Sequence, residues 1–174
     1  RGLAPPTVTA SDGSAGAPNV AENTGVISTP RGNITLVGGQ TKQDGLLTAT
    51  TAAQANGSIW LGADGLVTSF GEGSVTQVLP DLGGQKVVGA GSDFRPSRID
   101  ARGDTIDVLG GATIYAPSGG VSLSAVMTAP MPASTTDPLR LDDTRVSLAP
   151  GARVDVSGLR DVDVAMEDNV IKAE

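Results

Sequence analysis

The sequence predicts an all-β chain folded as a right-handed parallel β-helix (solenoid) with inserted loops. Three observations predict it. Short runs alternate apolar and polar residues after Gly-containing turns, and these runs recur at regular intervals. The hydrophobic content, 39% of the chain, includes only four aromatics: Trp60, Phe70, Phe94 and Tyr115.

The runs define the elements. Gly32-Asn33-Ile34-Thr35-Leu36, Gly57-Ser58-Ile59-Trp60-Leu61 and Gly120-Val121-Ser122-Leu123-Ser124 share one pattern. Arg145-Val146-Ser147-Leu148, Arg153-Val154-Asp155-Val156 and Asp161-Val162-Asp163-Val164 repeat it. Successive side chains of a strand point to opposite faces, so each run has one face to bury. The β-branched residues favour extended backbone, because two heavy atoms on Cβ restrict χ1 in a helix. No helix of three turns is expected.

The spacing decides the architecture. Ile99, Ile106, Ile114 and Val121 follow one another at spacings of 7, 8 and 7, so three nearly equal steps close one triangular coil. Ile34 to Ile59 and Val121 to Val146 are each 25 residues apart, a period typical of solenoids. Coils stacked about 4.8 Å apart would number seven or so in a rod of about 35 Å. Right-handed winding is carried over from the general rule for parallel crossovers. Small aliphatic side chains suit such a narrow bore.

Two stretches break the period. The region 80–96, bounded by Pro80 and Pro96 and holding several glycines, is expected to leave the coil as a loop. So is 128–143, where Pro130, Pro132 and Pro138 cannot donate to a ladder. Residues 1–31 read as irregular chain or linker, and 32–174 as the coils. The alternative architecture is an antiparallel sandwich, whose hairpins the Asp-Gly and Asn-Gly dipeptides at 12–13, 44–45, 56–57 and 64–65 would serve.

Composition excludes several functions. The net charge of −7 and the absence of any Lys or Arg cluster argue against nucleic acid and against an anionic membrane surface. Without cysteine or histidine there are no disulfides, thiolate metal sites or imidazole proton shuttles. No stretch is long and apolar enough to insert in a membrane. The chain starts at Arg1 without a signal sequence and is expected to be an internal piece of something longer.

The run Thr105-Ile-Asp-Val-Leu-Gly-Gly-Ala-Thr-Ile-Tyr-Ala-Pro-Ser-Gly-Gly-Val-Ser-Leu-Ser-Ala125 resembles the repeats of filamentous-haemagglutinin-type exoproteins. Arg145-Val-Ser-Leu-Ala-Pro-Gly-Ala-Arg-Val-Asp-Val-Ser-Gly158, with Val162-Asp163-Val164 and Asn169-Val170-Ile171, resembles them too. The resemblance covers about residues 32–171 and is most specific in the last third. It implies a shaft segment of a two-partner-secretion adhesin, exported through an outer-membrane pore of a Gram-negative bacterium and held at the cell surface. It further implies attachment to a receptor or glycan on host or neighbouring cells. The alternatives are a carbohydrate-active β-helix enzyme and the stalk of a contact-dependent toxin.

No catalytic, cofactor-binding or metal residues are expected. Arg102-Gly103-Asp104 is the candidate receptor contact, because it spells the tripeptide that integrins read as a guanidinium and a carboxylate held apart on an exposed turn. Its plainer reading is a Gly turn between strands. Asp107, Asp155 and Asp163 each sit between apolar residues and are expected to face solvent; a row of such carboxylates would also serve acid–base chemistry or Ca²⁺. Asp161, Asp163, Glu167 and Asp168 form an acidic cluster read as a charged cap. Asn33-Ile34-Thr35 and Asn56-Gly57-Ser58 fit the glycosylation pattern. Trp60 points outward between Ile59 and Leu61, either beneath an inserted loop or as part of a contact surface.

Overall fold

The computed structural model describes residues 19–51, 57–64, 66–81, 96–126 and 144–158. These residues form 14 strands and no helix. The strands make three sheets. The first contains β1 (Val20–Asn23), β4 (Gln40–Gln43), β7 (Val67–Phe70), β10 (Thr105–Val108) and β13 (Arg145–Leu148). The second contains β2 (Val26–Thr29), β5 (Leu46–Thr51), β8 (Val75–Pro80), β11 (Thr113–Tyr115) and β14 (Arg153–Asp155). The third contains β3 (Asn33–Gly38), β6 (Ser58–Ala63), β9 (Arg98–Gly103) and β12 (Gly120–Ala125).

Every pair of neighbouring strands is parallel, and each strand pairs with its equivalent three elements away. The chain therefore visits the three sheets in rotation and stacks one coil on the next. This is a parallel β-helix. An antiparallel sandwich would have placed consecutive strands side by side in opposite directions.

The register confirms the triangular coil read from the isoleucines. Val121 pairs with Ile99, while Ile106 and Ile114 lie in the first and second sheets of the same turn. Ile34 pairs with Ile59 and Ile59 with Ile99. The step from Val121 to Val146 is not a coil repeat, since Val146 pairs with Ile106. In the first sheet Ala21, Thr41, Thr68, Ile106 and Val146 stack in register, and the chain length between partners grows at each step. Coils this long mean that five turns, counting the incomplete last one, use most of the chain, rather than seven.

The stack also begins earlier than the sequence predicts. β1 and β2 lie within the stretch 1–31 that reads as irregular chain. β2 is rich in β-branched residues, but both strands are only four residues long and lack the apolar alternation of the later runs; the ladder to β4 and β5 holds them, together with Asn23, whose amide is buried in the bore. The two expected insertions fall between β8 and β9 and between β12 and β13, and residues 82–95 and 127–143 lie outside the described residues.

The bore is lined as its width demands. Ile34, Ile59 and Ile99 form one buried column, and Leu47, Ile106, Ile114 and Val108 fill the others. Phe70 is wholly buried and stacks between Gln43 and Val108. Threonine hydroxyls tie the corners: Thr41 Oγ1 donates to the Gly62 carbonyl at 2.7 Å, and Thr68 Oγ1 to the Arg102 carbonyl at 2.7 Å. Each bond joins the first strand of a turn to the end of its third.

Between the first and second sheets the upper three turns share one corner. Ser74 N–H donates to Gly71 O at 3.1 Å, Ala112 N–H to Leu109 O at 3.1 Å, and Ala152 N–H to Ala149 O at 3.0 Å. The third residue of each is a left-handed glycine: Gly73 at φ 68°, Gly111 at 74° and Gly151 at 83°. Pro150 at the second position and positive φ at the third is the type II pattern. The Ala116-Pro117-Ser118-Gly119 corner between the second and third sheets repeats it, with Ser118 at φ 56°.

Candidate functional site

The residues with chemistry to offer converge on the outer face of the third sheet. Ile59 and Leu61 are fully buried, so the alternation of β6 sends Trp60 outward, where it remains 39% exposed. Its partners in register are Thr35 on β3 and Asp100 on β9. The indole does not stand away from the sheet. It folds across Gly62, where a Cβ would lie only 2.7 Å from ring atom Cη2. Gly62 thus supplies a bare strip of backbone on which the ring rests.

The neighbouring outward row runs through Val37, Gly62, Arg102 and Ser124. Val37 and Arg102 are both exposed and flank the indole along the axis of the helix. On the other side, Arg98 Nη2 pairs with Asp100 Oδ1 at 3.0 Å. Beyond this pair lies a shallow depression of about 260 Å³ lined by Pro96, Arg98, Gly120, Val121 and Ser122. Among the described residues Arg102 has no hydrogen-bonding or ionic partner for its side chain, in contrast to Arg98. The face therefore offers an aromatic plate, a free guanidinium and several hydroxyls.

Arg102-Gly103-Asp104 belongs to the wall of the helix. Arg102 and Gly103 end β9, Gly103 is buried, and Asp104 turns the corner into β10 half-buried. The Asp104 N–H donates to Leu66 O at 2.8 Å in the turn below, and Val126 N–H to Gly103 O at 2.8 Å in the turn above. A backbone held from both sides does not project as a loop. Arg102 faces out from the sheet while Asp104 lies at the corner.

The carboxylates do not form one row. Asp107 is on the first sheet, where it accepts from Ser147 Oγ at 2.5 Å. Asp155 is on the second, paired with Arg153 and accepting from the Ser157 N–H at 2.9 Å. The hydroxyl and N–H of Ser157, followed by Arg153, hold the Asp155 carboxyl down at about 2. Asp107 and Asp155 thus stand on different sheets of the helix. Asp161, Asp163, Glu167 and Asp168 lie outside the described residues, as do Asn56, Val162, Val164 and 169–171. Among the described residues no three acidic side chains gather to hold a metal ion. Asn33 is exposed, but its Oδ1 accepts from both the N–H and the hydroxyl of Ser58, at 3.1 and 2.8 Å, and so staples β3 to β6.

The sequence pointed to Trp60 but missed Gly62 and Arg98. The outward alternation Arg98-Asp100-Arg102 is visible in the sequence. Its position beside Trp60 is not, because Ile59 and its ladder partner Ile99 stand far apart in the chain. Compared with family models, with curated proteins and with solved structures, the chain matches none.

Proposed function

We propose that this chain is a shaft segment of a secreted bacterial surface adhesin, exported through an outer-membrane pore and mediating attachment to cells or surfaces. The reading assigns it no catalysis and no cofactor. The observation that carries it is the placement of the phrases that resemble filamentous-haemagglutinin repeats. Ala149-Pro150-Gly151 and Ala116-Pro117-Ser118-Gly119 are the corners of successive turns, with Gly151 stacked over Gly111. A motif that marks the corner of a coil is one that a long stack can repeat.

Physical logic supports the role. Each turn bonds only to the turns beside it, so a chain arriving in extended form can add coils one at a time. The resulting rod presents continuous outer faces, and the third sheet carries the exposed aromatic and guanidinium groups a contact surface needs. Beads coated with the protein should be retained on epithelial or bacterial cell layers more strongly than beads coated with an unrelated acidic protein. Equal retention overturns the reading, as does release of unsaturated or reducing products from polysaccharides incubated with the protein.

A further inference from the structure

The outer face of the third sheet is more specialised than a plain wall requires. Trp60 lies flat over Gly62 with its free side toward solvent, and it is the only tryptophan of the chain. Arg102 is the next residue along the axis from Gly62, about 4.8 Å away in the ladder. An exposed guanidinium with no carboxylate partner among the described residues, beside an aromatic plate, is an arrangement for an anion attached to a flat apolar body.

We infer that this face binds a short chain of hexuronic acids, with one ring stacked on Trp60 and its carboxylate held by Arg102. The inference rests on reading the face as the contact surface of the proposed shaft.

The chemistry selects this ligand. The C–H face of a pyranose is apolar and matches the indole in size, which gives the stacking. In the chair form of a hexuronic acid the carboxylate is equatorial, so it lies at the rim of the stacked ring, on the side where Arg102 stands. A planar guanidinium meets a carboxylate with two parallel hydrogen bonds. A sialic acid in its usual glycosidic form carries its carboxylate axially, out of the ring plane, and would not reach Arg102 while stacked. The depression beside Arg98 and Ser122 lies four strand residues from Arg102, roughly 13 Å along β9, and receives a sugar further along the chain. Arg98, already neutralised by Asp100, contributes hydrogen bonds there rather than net charge. The chain as a whole carries −7, so binding should be weak and weaken further with added salt.

The lone tryptophan makes the test direct. Titration of the protein with oligogalacturonate, followed by intrinsic fluorescence, should shift or quench Trp60 emission and saturate at millimolar concentrations or below. Maltooligosaccharide of the same length and sialyllactose should bind at least tenfold more weakly, by roughly the worth of one charged hydrogen-bonding pair. Arg102→Gln, whose side chain is exposed and whose backbone bonds remain, should weaken oligogalacturonate by the same factor. Trp60→Ala, read by calorimetry and checked for an unchanged β spectrum, should abolish binding. No spectral change, equal response to the neutral sugar, preference for sialyllactose, or an unaffected Arg102→Gln variant each overturns the inference. If oligogalacturonate does not bind although wild-type beads adhere to cells, the uronate site fails while the shaft stands; if wild-type beads do not adhere although the sugar binds, the reverse holds.

Discussion

Inside the bore, the side-chain amide of Asn23 donates to the amide oxygen of Gln43 at 2.7 Å, and both residues are buried. Gln43 spends its own N–H groups on the carbonyls of Gly45 at 2.9 Å and Val75 at 3.1 Å. One side chain thus links three successive turns. Where Asn23 and Gln43 stand in the lower turns, Phe70 and Val108 fill the same column above. The polar pair is tolerated because its hydrogen-bonding groups meet partners.

Gln43→Leu should therefore destabilise the protein by about 2 kcal/mol, because it leaves the Asn23 amide with only its long 3.4 Å bond to Leu46 O and takes the Gln43 donors from the Gly45 and Val75 carbonyls. Urea unfolding followed by circular dichroism measures this. The double variant Asn23→Leu/Gln43→Leu should recover part of the loss, since it leaves no amide unpaired. A double variant as unstable as the sum of the two single variants would contradict the pairing.

Thr76 makes the opposite case. It points into the bore in register with Leu47 and Ile114, and its hydroxyl has no partner among the described residues. Thr76→Val keeps the shape and removes the buried hydroxyl. Thermal unfolding should show it neutral or more stable by about 1 kcal/mol. A clear drop in melting temperature would show that the hydroxyl is engaged.

Two glycines should respond to substitution for different reasons. Gly111 is left-handed, yet a Cβ there would lie 3.6 Å from the nearest atom, an ordinary contact. Gly111→Ala should cost about 1–2 kcal/mol from backbone strain alone. Gly45 has no such conformation, but its Cβ would collide with the Gly25 carbonyl oxygen in the turn below. Gly45→Ala must push two turns apart and should cost more, with loss of exchange protection at β2 and β5. Ser118→Gly should be neutral or stabilising, because Ser118 already holds a left-handed φ of 56°. Calorimetry of the three variants tests the order.

Asp155 sets an acid-side limit. Its carboxyl is lowered from 3.8 to about 2, first by the hydroxyl and N–H of Ser157 and then by Arg153. A carboxyl held down in the folded state stabilises that state when ionised. The contribution is present above the unfolded value near 4 and disappears as pH falls toward 2. Carboxyl titration by NMR should place Asp155 below the ordinary aspartate range, and Ser157→Ala should move its midpoint up. An unchanged midpoint in that variant would assign the effect elsewhere.

Much of this fold is legible in the residues alone. The alternation at Ile59-Trp60-Leu61 tells which side chains face the bore, since strand geometry alone enforces it. The even spacing from Ile99 to Val121 describes one complete turn, because corners of equal length leave little freedom. The stretch 20–29 is not legible, for its two four-residue strands lack the apolar alternation that marks a buried face, and neighbouring turns hold them. The step from Val121 to Val146 misleads, because an equal interval does not reveal which sheet a strand joins. Of the outer site, Trp60 is legible; the bare surface of Gly62 and the free guanidinium of Arg102 are not.

By itself the sequence determined that this chain is built of short strands with one aliphatic face, turned at glycine and proline corners. Local sterics and the burial of every second side chain require nothing more distant than the next corner. Which strand lies on which was decided only by the tertiary structure. Turns of unequal length come into register through backbone ladders whose partners no local rule specifies, and it is this register that brings Trp60, Gly62 and Arg102 together on one face.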